Sequence, residues 1–200
     1  MMNIFYVLAC LLFVVPTAWA QVVYIPSPGM TTNEVDATTK TINQLVAEIG
    51  ASTRTVVISQ QLPALSANVT VPVTLTLDFT GDGLISCSSS TLTIQSSTVN
   101  WPGRQIFASD CSSTGSVSFS GNGNVKNVRP AWWGCAGDNT DCSAAIQAAV
   151  TAIDTGPKSG TIIFPSGIFP FTNVAIPVTI TALTIQGEGS ASTYQKGTYF

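Results

Sequence analysis

The sequence predicts an all-β chain, a solenoid of short stacked strands whose open ends are closed by amphipathic α-helices. Three observations carry this expectation. The strand-like runs are short and end at Gly or Pro. Their apolar residues alternate, as at Leu75/Leu77, Leu92/Ile94 and Leu183/Ile185, so one face meets a narrow core and the other meets water. A unit of helix, strands and a Gly-acid-Gly corner also occurs twice.

Residues 1–20 stand outside this pattern. Ile4 to Val15 is an unbroken apolar run, Pro16-Thr17 breaks it, and Ala18-Trp19-Ala20 is a small-x-small cleavage site. This is the layout of a secretory signal peptide, with Gln21 as the expected mature start. Twelve apolar residues are too few to cross about 30 Å of hydrocarbon at about 1.5 Å per residue. No later segment is long and apolar enough to span a bilayer. The expected localisation is therefore secreted, extracellular or periplasmic, with no membrane association after cleavage.

Composition narrows the function classes. Only 8% of residues are charged, the net charge is −3, and the seven Lys and Arg are scattered singly, which gives no nucleic-acid footprint. An apolar fraction of 45% is too high for disorder. The chain has no His, which excludes a Ser-His-Asp triad, a Cys-His dyad and His-ligated metal within these residues.

The repeat begins with two helical stripes. Apolar residues fall at 42, 45, 46 and 49 in one, and at 146, 149, 150 and 153 in the other, 104 residues further on. Gly50 ends the first, and Gly156-Pro157 follows the second. Each leads into a β-branched run, Thr55–Ser59 and Thr161–Phe164. Next come Asn68-Val69-Thr70-Val71-Pro72-Val73-Thr74 and Asn173-Val174-Ala175-Ile176-Pro177-Val178-Thr179. Leu75-Thr76-Leu77 and Leu183-Thr184-Ile185 then lead to Gly81-Asp82-Gly83 and Gly187-Glu188-Gly189. Further short strands are expected between the copies, at Thr91–Gln95, Gln105–Phe107, Val117–Phe119 and Val125–Val128. The expected organisation is a signal peptide at 1–20, a helix-capped β unit at 21–130, and a second unit beginning at 131 and cut short at 200.

With Cys10 removed in the signal, four cysteines remain: Cys87, Cys111, Cys135 and Cys142. An even number in an exported chain reads as two disulfides with three connectivities. In a solenoid, the 24 residues from Cys87 to Cys111 are about one turn, and neighbouring strands about 4.8 Å apart lie within disulfide reach. The expected pairs are Cys87–Cys111 and Cys135–Cys142. A plain β-sandwich is the rival architecture, in which those 24 residues would be two hairpin-linked strands.

Residues 131–189 carry a resemblance. Ala131-Trp132-Trp133-Gly134-Cys135-Ala136-Gly137-Asp138-Asn139-Thr140-Asp141-Cys142-Ser143-Ala144-Ala145-Ile146-Gln147 resembles the opening motif of the pectate lyase superfamily, the rhamnogalacturonase and epimerase-like group with its tailspike-like relatives. Gly160-Thr161-Ile162-Ile163-Phe164-Pro165-Ser166-Gly167 and Ile185-Gln186-Gly187-Glu188-Gly189 are similar to the segments that follow in that family. Three positions depart from the family pattern: Cys135 stands for Ala, Asn139 for Gly with one residue deleted, and Cys142 for the second Asp. The resemblance implies a right-handed single-stranded parallel β-helix of the pectin lyase kind, with N-terminal capping helices. It also implies action on a polysaccharide by a lyase or a glycoside hydrolase. Its motif positions here are Trp133, Gly134, Gly137, Asp138, Asp141, Ile146, Gly167, Gly187 and Gly189. Families of this fold place their chemistry on later turns, so the expected active site lies outside this chain.

Several residues invite a functional reading. Asp138 and Asp141 could pass for a catalytic carboxylate pair but read better as turn and helix-cap residues. Trp132 and Trp133 could stack on sugar rings but are expected to pack at the joint between the units; Trp101 and Tyr199 are further stacking candidates. Asp78, Asp82 and Asp110 are candidate calcium ligands, read instead as solvated strand-end residues. No cofactor is evident, and calcium remains an option for the full-length protein. Neither the base and cation of a lyase nor the acid pair of a hydrolase is recognisable. The alternative is a non-catalytic polysaccharide-binding, adhesin or tailspike-like structural protein, for which a homotrimer is an option.

Overall fold

The structure is a computed structural model describing residues 40–96, 98–120 and 125–188, with the backbone of strand β1, Glu34–Asp36. The expected signal segment 1–20, Gly189 and Tyr199 lie outside the described residues.

Helix α1, Ile42–Ile49, starts at a capping box. The Thr41 side chain accepts from the Gln44 amide, and the Gln44 side chain accepts from the Thr41 amide. Two turns of helix are marginal alone, and α1 is held by burying Ile42, Leu45 and Ile49 against the strand β3, Val69–Val71. The strands β2 (Arg54–Ile58), β4 (Leu75–Phe79) and β6 (Val99–Asn100) form one sheet with β1, in the order β1-β2-β4-β6. A second sheet runs β3-β5-β7, with β5 at Thr91–Ile94 and β7 at Ser116–Phe119. A third runs β10-β9-β8, with β8 at Asn127–Val128, β9 at Ser159–Phe164 and β10 at Ala182–Gly187. Every pairing is parallel. The alternation read at Leu75/Leu77 and Leu92/Ile94 places these four side chains in the core, each no more than 1% exposed.

The all-β right-handed parallel β-helix with capping helices expected above is corrected. The described residues form three separate short parallel sheets together with helices α1, α2 (Asp110–Ser113) and α3 (Ser143–Thr155) and a 3-10 turn at Pro130–Trp133. The reason lies in residues 130–155. In the sheet β3-β5-β7, the outer side of β7 meets α3 rather than a fourth strand. Trp132 and Trp133 enter the core beside it, 3% and 5% exposed. The Trp132 carbonyl accepts from the amides of Ile106 and Phe107, and its ring stands 6.3 Å from Phe107 and 5.7 Å from Phe119. Helix α3 packs against β7, β9, α2 and the 3-10 turn, so it is an interior element and not a lid on an open end.

The duplicated sequence is a duplicated structure. β1-α1-β2-β4 and β8-α3-β9-β10 have the same element order and the same strand adjacency. The registers agree as well: Thr55 pairs with Thr76 and Val56 with Leu77, as Thr161 pairs with Thr184 and Ile162 with Ile185. Asn43 on α1 bonds to the Ala67 carbonyl and the Ser66 amide, and its counterpart Gln147 on α3 bonds to both backbone groups of Ala175. The copies differ where neighbours differ. Val69–Val71 is a strand because β5 pairs with it, whereas Val174–Ile176 lies outside the strands and Ile176 is 48% exposed.

Candidate functional site

Strand ends gather the most chemistry-bearing side chains. Trp101 follows β6 directly, Arg129 follows β8, Glu188 follows β10, and Asp82 lies just beyond β4. The ends of β4 and β6 in one sheet and of β8 and β10 in another are linked by direct side-chain contact. The Arg129 guanidinium lies over the Trp101 ring, 4.8 Å from its centroid, a cation–π geometry. The Trp101 indole N–H donates to the Arg104 carbonyl. Arg104 pairs with Asp82 at 2.6 Å, and Arg129 pairs with Glu188 at 2.5 Å. The two Gly-acid-Gly corners of the repeat thus each hold one arginine, and Trp101 connects the two pairs.

This chain of contacts is wet on its outer side. The side chains of Asp82, Arg104 and Glu188 are 92%, 39% and 45% exposed, while that of Arg129 is 19% exposed. Arg104 Nη2 and Arg129 Nη1 are buried without a hydrogen-bond partner. Buried donors of this kind call for an acceptor. The hydrogen bond from Arg129 holds the Glu188 carboxyl below the usual carboxylate range. Glu188 is therefore an anion at neutral pH and a poor proton donor for glycosidic oxygen.

The residues singled out in the sequence are dispersed. Asp138 accepts from the amide and hydroxyl of Thr140, Asp141 does the same with Ser143, and these bonds hold both carboxyls below their usual range. Asp141 thereby serves the first amide of α3, whose N-cap is Cys142. The Trp133-to-Asp141 segment lies on the Gly167 segment through an Asp138–Ile168 bridge. A Cβ added at Gly137 would meet the Phe169 ring at 2.7 Å. Gly134 is left-handed after the 3-10 turn, Ile146 is 5% exposed inside α3, and Gly187 ends β10.

The disulfides are Cys87–Cys111 and Cys135–Cys142, with Cα separations of 4.9 and 5.2 Å. The candidate calcium trio does not converge. Asp82 holds Arg104, Asp110 accepts from Ser86, Cys87 and Ser88, and Asp78 lies within β4 opposite Asn100. Among the described residues no group of three His, Cys, Asp or Glu could hold a metal ion. Trp132 and Trp133 are core, which removes them from sugar contact. Arg104 and Arg129 were not foreseen. A signal existed for Arg104, which follows Asp82 by 22 residues, the same spacing as the Leu77–Val99 ladder pair. Arg129 and Glu188 are 59 residues apart, and no spacing rule links them. At the other end of β2 and β4, a shallow depression of 530 Å³ is lined by Ser52, Thr53, Arg54, Thr55 and Thr76.

No protein-family model, curated protein or solved structure matches this chain.

Proposed function

We propose that the chain is an exported, non-catalytic binding module for a polysaccharide, contacting its ligand at Trp101, Arg104 and Arg129. The observation that carries the site is the stacking of Arg129 on Trp101 with Arg104 alongside, at the linked ends of parallel strands. An indole offers an apolar plate to a sugar face, and planar guanidinium groups offer paired donors to hydroxyls or carboxylates. The polysaccharide class comes from the resemblance of residues 131–189 to the pectate lyase superfamily. Export is supported by the two disulfides, which belong to oxidising compartments, and by the signal-like residues 1–20. No helix among the described residues is long and apolar enough to cross a membrane.

Binding is favoured over catalysis because five of the described carboxylates are already committed. Asp138, Asp141 and Asp154 take bonds from hydroxyls, and Asp82 and Glu188 take arginines. Carboxylates held by hydroxyls and arginines in this way differ from the acid and base pair that a glycosidase keeps open to its substrate. The test is a titration of the secreted chain with neutral and acidic soluble polysaccharides, read by tryptophan fluorescence and calorimetry. Binding to at least one class is expected, with loss in Trp101→Ala and a marked weakening in Arg104→Gln at unchanged melting temperature. Absence of binding across the panel refutes the reading. Release of unsaturated product from polygalacturonate refutes its non-catalytic part.

A further inference from the structure

We propose that Asn68 is a site of N-linked glycosylation, its side chain taking an oligosaccharide as the chain is exported. This rests on the export part of the reading above and not on polysaccharide binding. Asn68-Val69-Thr70 is an Asn-x-Thr acceptor triplet, and no other asparagine of the chain has Ser or Thr two positions on. Asn68 immediately precedes β3, and Thr70 is the middle residue of that strand. Both are exposed, while Val69 is half-buried and Val71 lies in the core. Strand alternation thus turns Asn68 and Thr70 outward together. The approach to the strand is pinned by α1, where Asn43 donates to the Ala67 carbonyl at 3.0 Å and accepts from the Ser66 amide at 3.4 Å.

The two ends of the Asn68 amide are used differently. Oδ1 accepts from the Thr91 amide at 2.8 Å, whereas Nδ2 donates to nothing among the described residues. Glycosylation changes Nδ2 alone. Nδ2 attacks C1 of the first sugar of an oligosaccharide carried on a polyisoprenyl diphosphate. The N–C1 bond forms, the C1–O bond breaks with its electron pair going to the diphosphate, and the Nδ2 proton passes to a base of the transferase. Oδ1 remains an acceptor, so the bond to Thr91 survives the modification. The second copy supplies a comparison. Its corresponding residues are Asn173-Val174-Ala175, again exposed at both ends, with the asparagine kept and the hydroxyl absent. The Thr70 hydroxyl makes no hydrogen bond among the described residues, so the fold gives it no bonding role. A hydroxyl at that position is what the acceptor triplet requires. Only 8% of residues are charged, and a surface glycan would add the hydration that so few charges provide.

The test expresses the full chain in eukaryotic cells in two forms, one with its own residues 1–20 and one with a host leader in their place. Secreted product is weighed by intact mass spectrometry. With the host leader, the product should be heavier than its sequence mass. Peptide N-glycosidase should remove the excess and leave an aspartate in place of Asn68. Asn68→Gln and Thr70→Ala should each lose the excess mass, and Thr70→Ser should keep it. Thr70→Ala leaves the Asn68–Thr91 bond in place and provides the second variant if Asn68→Gln fails to fold. A host-leader product at its bare sequence mass overturns the proposal, as does excess mass that Thr70→Ala retains. If the host-leader form is modified while the form with its own residues 1–20 stays in the cell, the export reading fails and the Asn68 assignment stands.

Discussion

Ile162 and Ile185 are register partners across the β9–β10 ladder, yet the first is 1% exposed and the second 52%. Val56 and Leu77 hold the same pairing in the first copy, and both are 1% exposed. Local sequence and strand pairing are thus shared, and the difference is what lies beyond the second strand. Leu77→Ala would open a cavity in a packed core and is expected to cost about 2–5 kcal/mol. Ile185→Ala in dilute protein removes atoms already half in water and should cost under about 1 kcal/mol. Urea denaturation of the two variants checks the asymmetry. Equal costs would mean that β10 is as deeply covered as β4.

The same contrast holds at the corners. Gly81 has φ +45°, and an added Cβ would stand 2.8 Å from the Ser59 carbonyl oxygen. Its counterpart Gly187 would place a Cβ with nothing within 4 Å. Gly81→Ala therefore combines left-handed strain with a backbone clash and should destabilise by about 1–3 kcal/mol. Gly187→Ala should stay within about 0.5 kcal/mol of the parent. Thermal melts of both variants in parallel test this. A neutral Gly81→Ala would show that the corner can open without cost.

The internal repeat was the legible part of this chain. The apolar stripes at 42–49 and 146–153 became α1 and α3, and the paired runs became β2, β4, β9 and β10 because periodicity records which face is buried. The disulfide pairing was legible from the even cysteine count and the separations of 24 and 7 residues, although Cys111 sits in α2 and not in a strand. The architecture was not. Alternation in a short strand is the same whether its edge meets another strand or a helix, so nothing at Val117 or Phe119 announced that β7 would be covered by α3. The Val174–Ile176 run shows the converse, a strand-like sequence with which no strand among the described residues pairs. At the candidate site Trp101 was readable as an aromatic of interest. Arg104, three residues on, had a spacing signal toward Asp82, whereas Arg129 reaches the ring from 28 residues away and had none.

The two disulfides should differ in their contribution. Cys87–Cys111 closes 24 residues and Cys135–Cys142 closes 7. Loop-closure entropy in the unfolded chain then favours the first, at about 3 kcal/mol against about 2 kcal/mol. The double variants Cys87→Ser/Cys111→Ser and Cys135→Ser/Cys142→Ser, compared by urea denaturation, should rank in that order. The short loop also fixes the entry to α3, whose N-cap is Cys142 and which has no side-chain cap bond there. Losing that bridge should therefore fray the start of α3, seen as faster amide exchange at Ala145 and Ile146. A larger loss of stability from the short bridge than from the long one would contradict the entropic ranking.

Asp110 ties the long bridge to acid stability. Burial works against its charge. The hydrogen bonds from the Ser86 hydroxyl and from the amides of Ser88, Cys87 and Cys111 outweigh that penalty, and the carboxyl is held below its ordinary value of 3.8. A carboxyl with a lowered folded-state pKa contributes stability above its unfolded value and loses it as pH falls through the folded value. The contribution of Asp110 should thus be complete at pH 7 and fade below about pH 4. Asp110→Asn keeps the shape but removes the charge-assisted bonds, and should cost about 1–2 kcal/mol at pH 7. The gap between parent and variant should close toward pH 2.5. The acid limb of Asp110→Asn should be shallower but not flat, because Asp138, Asp141, Asp154 and Glu188 are held low by their own partners. Denaturant midpoints from pH 7 to pH 2.5 measure this directly. A gap that stays constant across that range would mean that Asp110 acts through shape alone and that its charge adds nothing to the fold.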